Sequence, residues 1–142
     1  MKSTTPPDPF TGLWKFLHDQ STTSSPPPHT WTQRIEATAQ EVTVREEIVT
    51  TEGTPPTLVE IQARFDGLEY PVTGSTAADT ITYSRINTHR ISATGLKNGS
   101  TTLRESLAVS PDGRTLTVTY SIYRGDRILA NGIAVFERAK TN

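Results

Sequence analysis

The chain contains no cysteine. Structural disulfides and cysteine-based zinc sites are therefore excluded, and the redox compartment stays open. An excess of charge is also missing: 14 Lys and Arg stand against 15 Asp and Glu, a net of -1. A nucleic-acid binder needs a basic field to neutralise phosphates, so no nucleic-acid partner is expected. Long apolar runs are absent, and no segment is expected to span a membrane. No basic-then-apolar leader follows Met1. A soluble, cytoplasmic chain is expected as given, unless a signal peptide has been removed. Apolar residues make up only 33 % of the sequence, against roughly 45–50 % in an average domain, a figure that also counts Gly. So lean a chain buries one thin core. Fully buried parallel strands need near-continuous apolar runs, and long helices need fewer breakers than ten prolines and nine glycines.

Threonine is what the sequence has in abundance. With 25 Thr and 11 Ser, hydroxyl residues form about a quarter of the chain. Thr is β-branched and suits the exposed face of a pleated strand. Period-two alternation is widespread. Leu116, Val118, Tyr120 and Ile122 alternate with Thr115, Thr117, Thr119 and Ser121, the pattern of a half-buried strand. Val42, Val44, Glu46 and Ile48 share one parity; so do Val59, Ile61, Ala63 and Phe65, and Leu103, Glu105, Leu107 and Val109. Tight-turn signals separate these runs at Asp66-Gly67, Asn98-Gly99 and Ser110-Pro111-Asp112-Gly113. Pro71 marks an edge or a bend in a short strand over 69–72. Asn131-Gly132 predicts a bulge in the last strand, which leaves that strand's inward parity open.

The reading is nine or ten short antiparallel strands joined by hairpins, with no long crossover. Such a meander hides its edges by closing on itself. The expected fold is all-β, an antiparallel up-and-down barrel of eight to ten strands. Residues 1–8 read as a disordered lead-in, 9–139 as one barrel domain and 140–142 as a tail. Whether the barrel is hollow or filled by its own side chains stays open.

Gly12-Leu13-Trp14 near the start of the first strand resembles the Gly-x-Trp motif of lipocalins and other calycins. Three further segments share the likeness: Phe65-Asp66-Gly67 leading to Tyr70-Pro71-Val72-Thr73-Gly74, Ser110 to Val118, and Val135-Phe136-Glu137-Arg138. Together they resemble a group of small bacterial lipocalin-like proteins over roughly residues 9 to 139. The resemblance implies that Trp14, with Gly12, caps the closed end of the barrel. It also implies that a basic residue ending the last strand, here Arg138, packs across that tryptophan. The chain departs from the family in having no room for a helix after the barrel and no disulfides. Residues 18–28 cannot supply a two-helix lid, and Lys15, Phe16 and Leu17 do not continue the motif of haem-binding relatives.

By that fold-level analogy, the protein is expected to bind or carry a small hydrophobic or amphipathic molecule, as a monomer or homodimer, without cofactor. The expected ligand residues are Trp31, Ile61, Phe65, Tyr83, Leu103, Leu116 and Tyr120, with Arg85 or Glu105 anchoring a polar head. The residues themselves add a second observation. Glu46, Glu105 and Arg85 stand on apolar parities, and His89 joins them if it points inward with Ile91 and Ala93. Buried ionisable groups have perturbed pKa values and serve as acid, base or anchor. An isomerase- or cyclase-type enzyme would use Glu46, Glu105 or His89. The plainer placement is a solvated barrel mouth or a register flipped by a bulge. A third reading is a filled barrel that acts through an outer face or an edge near Glu69 to Val72. His18, His29 and His89 lack ligand spacing, and no metal is expected.

Overall fold

The computed structural model describes residues 7–139. The expected lead-in and tail lie outside the described residues at 1–6 and 140–142. Alternation resolves into β1 (Gly12–Phe16), β2 (Thr22–Thr23), β3 (Thr30–Ala37), β4 (Glu41–Val49), β5 (Thr57–Arg64) and β6 (Tyr70–Thr73). There follow β7 (Thr80–Asn87), β8 (Arg90–Lys97), β9 (Ser100–Val109), β10 (Thr115–Arg124) and β11 (Arg127–Arg138). One short 3-10 turn, His18–Gln20, is the helical content of the described residues, and no helix there is long and apolar enough to cross a membrane.

From β3 onward each strand pairs antiparallel with its sequence neighbours. β1 pairs with β3 on one side and β11 on the other, so the sheet closes. β2 continues the line of β1 along β11, through Gly132↔Thr23 and Ile133↔Thr22. Ser21 bridges the two: its Oγ accepts from the Val135 N–H at 2.9 Å and donates to the Leu17 carbonyl at 2.7 Å. With β1 and β2 as one stave, the molecule is an all-β, up-and-down barrel of ten staves. One parity of every strand is thereby forced inside.

The Asn98-Gly99 turn has positive φ at both residues, 52° and 80°, the primed geometry that follows strand twist. The last strand differs from expectation. The ladder runs unbroken through Ser121↔Asn131 and Tyr120↔Gly132, and the extra residue is Leu129, between the pairs Ile122↔Ala130 and Tyr123↔Ile128. Gly132 instead marks a close approach: a Cβ there would lie 2.7 Å from the Tyr120 hydroxyl. Gly132, Ala134 and Phe136 share the inward parity of β11. β6 is short but paired on both sides. Glu60↔Thr73 and Ile61↔Val72 join it to β5, and Tyr70↔Ile81 and Pro71↔Thr80 join it to β7.

One end of the barrel is plugged. Phe10, Trp14, Leu116, Ala134 and Phe136 have no exposed surface there. Trp14 Nε1 donates to the Phe10 carbonyl at 2.9 Å, and the Arg138 guanidinium lies 4.3 Å above the indole. Arg138 also donates to three backbone carbonyls, of Gly113 at 2.8 Å, Thr11 at 2.6 Å and Pro9 at 2.7 Å. Gly12, at φ 146°, leaves room for it; a Cβ would collide with Nη1. Arg85 is the second staple. It pairs with Asp8 at 2.8 Å, donates to the carbonyls of Thr38, Asn87 and Thr88, and lies over the Phe10 ring. Asp8, the last residue of the expected lead-in, is thus tied into the plug.

Arg138→Ala removes a cation–π contact and three charge-assisted hydrogen bonds at once. The expected loss is about 2–4 kcal/mol, read as a lower urea midpoint. Arg138→Lys should recover only a minor part, because an ammonium lacks the planar fork that reaches three separate carbonyls.

Candidate functional site

Burial of the inward parity changes along the barrel axis. Near the plug, Ile35, Val42, Val44, Ile91, Leu107, Val109 and Leu116 are all buried. Farther up, Trp31, Ile48, Leu103, Tyr120 and Ile122 are inward by register yet only half buried. The far end is framed by the loops 17–29, 50–56 and 74–79 and by the turns at 98–99 and 125–126. The lumen is therefore filled below and accessible above.

A band of polar side chains sits at the boundary. Gln33 and Glu46 are cross-strand neighbours on β3 and β4. Tyr83, on β7, joins them. Glu105 lies on β9 between Ala93 and Tyr120. β4 and β9 are five staves apart in a ring of ten, so the two carboxyls come from opposite walls. Trp31 Nε1 donates to Glu46 Oε1 at 2.8 Å. The indole is itself held edge-on against Phe136, with ring centroids 4.9 Å apart, and tilted against Phe16 at 5.6 Å.

The other polar groups have no such partner. No hydrogen bond within the described residues engages the Glu105 carboxyl, the Tyr83 hydroxyl or the Gln33 amide. Yet among those residues no fully enclosed side-chain nitrogen or oxygen lacks a partner. Each of these unpaired groups therefore keeps some accessible surface, and strand parity directs it inward. Tyr83 is only 2 % exposed and Gln33 only 4 %, so that surface is reached from inside a closely packed wall. Glu46 and Glu105 keep some accessible surface toward the lumen while protein surrounds them.

Electrostatics follow from this burial. Desolvation pushes the Glu105 carboxyl up to about 8, and the Glu46 charge adds to the rise. Burial also raises Glu46, partly offset by the Trp31 hydrogen bond. Tyr83 is pushed well above the usual phenol range by burial and then by the two carboxylates. Burial raises Tyr120. The band thus presents, near neutral pH, a protonated carboxyl, an acid held by an indole, a phenol and an amide.

Of the residues expected to contact ligand, the structure brings Trp31, Tyr83, Leu103, Glu105 and Tyr120 to the accessible half. Ile61 lies in the packed layer between Val44 and Val72. Leu116 is fully buried between Val109 and Phe136. Phe65 sits toward the plug, edge-on to Tyr83 at 6.5 Å and under Arg85. Arg85 is consumed in the plug. His89 occupies the β7–β8 turn at that same end, where its N–H binds Asn87 Oδ1. It therefore does not join Glu46 and Glu105. Gln33 belongs to the band and was not singled out from the sequence. Its parity with Trp31 and Ile35 was the available signal, since a Gln on an apolar face is a buried amide in search of a partner.

Among the described residues no group of three or more His, Asp or Glu side chains is placed to hold a metal ion. A concavity of about 570 Å³ lies in the wall along β4–β6 and takes its charged and amide lining from Glu41, Arg45, Glu60, Gln62 and Arg64. No protein-family model matches the chain, and no curated protein matches it.

The acid band has a measurable consequence. Glu105 titrates near 8 in the fold and near 4.5 in the unfolded chain. Between those values the folded protein holds a proton that the unfolded chain has lost, so stability falls as pH rises, and the loss is complete above the folded value. Its size is on the order of 4 kcal/mol. Glu105→Gln mimics the protonated acid. Urea unfolding at about pH 5 and about pH 9 should show at least half of the wild-type decline gone in the variant, with Glu46 supplying the rest in the same direction.

Proposed function

We propose that the protein binds a small amphipathic molecule in the accessible half of the barrel, with the apolar body toward the mouth and the polar end on the acid band. The carrying observation is the pairing of half-buried inward apolar groups with inward polar groups that keep accessible surface deeper in the barrel. Concave, mostly apolar sites with a few convergent polar groups are the usual form of a small-molecule site. On this reading Trp31, Ile48, Leu103, Tyr120 and Ile122 contact the body of the ligand, and Gln33, Glu46, Tyr83 and Glu105 meet its head. The barrel is compatible with a calycin-like fold. The Gly12-x-Trp14 motif and the placement of Arg138 support reading it as a lipocalin-like carrier, acting as a monomer or homodimer without nucleic acid.

A proton-transfer enzyme is the second reading, favoured by the placement of two inward carboxyls, Glu46 and Glu105, on opposite walls, where burial raises Glu105 to about 8. Turnover separates the two. A carrier returns its ligand chemically unchanged.

Nile red, a neutral dye that brightens in apolar surroundings, tests the binding reading. One dye should bind per barrel, and energy transfer from tryptophan should fall in Trp31→Phe, with Trp14 supplying what remains. Leu103→Trp should fill the accessible half and weaken binding at least about tenfold, the equivalent of 1.4 kcal/mol, while keeping the wild-type unfolding midpoint within about 1 kcal/mol. Dye binding that survives Leu103→Trp unchanged places the site outside the lumen and overturns the proposal.

A further inference from the structure

The chemistry of the band narrows the ligand. This step rests on the lumenal binding reading above. Every ionisable group of the band is acidic or phenolic: Glu46 from β4, Tyr83 from β7, Glu105 from β9 and Tyr120 from β10. The remaining polar neighbours are Trp31 and Gln33 from β3, both neutral. Two cations, Lys97 and Arg124, stand farther out, lining a concavity at the mouth with Ile122, and the Lys97 ammonium donates to the Thr76 carbonyl. Arg85 and Arg138, both at the plugged end, have their donors committed elsewhere, Arg85 to Asp8 and three turn carbonyls, and Arg138 to three carbonyls and the Trp14 ring. Among the described residues no cation pairs with Glu46 or Glu105, and the one ion pair is that of Arg85 with Asp8. Two nine-tenths-buried side chains, Tyr83 and Gln33, point inward on the parities of the band and have no hydrogen-bond partner among the described residues.

From this arrangement we propose that the barrel selects amphipathic amines, holding a protonated amino head between Glu46 and Glu105 and rejecting carboxylates. An ammonium carries only donors and no acceptor. The band offers it carboxyl and phenol oxygens from several directions and no competing cation. A buried charge is tolerated only when paired and hydrogen-bonded. The incoming cation supplies the pairing that Glu105 lacks, and the Glu105 proton leaves to solvent as the ammonium arrives. A carboxylate head would instead place a second negative charge beside Glu46 in a desolvated band that holds no cation. Wall and ligand body then play separate parts: Trp31, Leu103 and Ile122 accept an alkyl or aromatic body of broad identity, and the acids read the head.

Displacement of Nile red by decylamine, 1-decanol and decanoate, which share one chain length, tests the inference at about pH 7. Decylamine should displace the dye at least about tenfold more tightly than decanol, and decanoate more weakly than either. Binding of decylamine should release a proton, detectable by calorimetry in buffers of different ionisation enthalpy. In Glu105→Gln and in Glu46→Gln the preference for amine over alcohol should shrink toward parity while dye binding persists. Decanoate binding as well as decylamine, or both variants keeping the full amine preference, overturns the amine assignment and leaves lumenal binding standing. Absence of Nile red binding in the wild-type protein, with no displacement by any of the three, removes the binding reading itself and the amine assignment with it.

Discussion

Closure of the sheet is the constraint on which everything else depends. β1 meets β11 through three residue pairs, one of them Trp14↔Arg138. That same pair carries the cation–π contact and the guanidinium fork that draws Pro9, Thr11 and Gly113 together. Once the first and last strands are joined there, every strand of the described residues except the two-residue β2 is paired on both sides. Each strand must then assign one of its two faces to the interior. A chain with so little apolar residue can satisfy this only because a closed barrel has one interior surface to cover. Threonine occupies the other.

The interior is used unequally. Aromatic and aliphatic residues fill the plugged half completely. Above it, the glutamates, a phenol and an amide occupy positions that Val or Leu would fill in a core built only for stability. Burying a carboxyl without a partner costs stability, and the elevated pKa of Glu105 is the measure of that cost. The protein carries this burden in its middle while stapling its lower end with two arginines. Dense packing and polar chemistry are separated along one axis.

Much of the fold was legible in the sequence because a period of two leaves a plain trace. The run from Thr115 to Tyr123 shows both faces of its strand, and Asn98-Gly99 shows its turn. The closing pair was legible only through the Gly-x-Trp resemblance, since nothing in local sequence says that Trp14 and Arg138 are neighbours. The site was legible in part. Glu46 and Glu105 stood out as acids on apolar parities, but parity does not give height along the barrel. Arg85 and His89 share an inward parity with their neighbours and still belong to the plug, because β7 carries Tyr83 at the band and Arg85 two residues lower. Gly132 was misread for a related reason. A glycine in a strand marks either a bulge or a close approach, and only the position of the Tyr120 ring distinguishes them.

The brevity of β6 bears on how the wall moves. Two residue pairs tether it on each side, against seven to ten for each pairing among β7, β8, β9, β10 and β11. Local opening scales with the bonds and contacts that must be given up. Backbone amides of β6 and of the facing parts of β5 and β7 should therefore exchange with solvent through small fluctuations, while those near β1 and β11 wait for the whole barrel to unfold. The compliant sector lies across the barrel from the Arg138 staple, so the wall can flex there without loosening the joint that holds it closed.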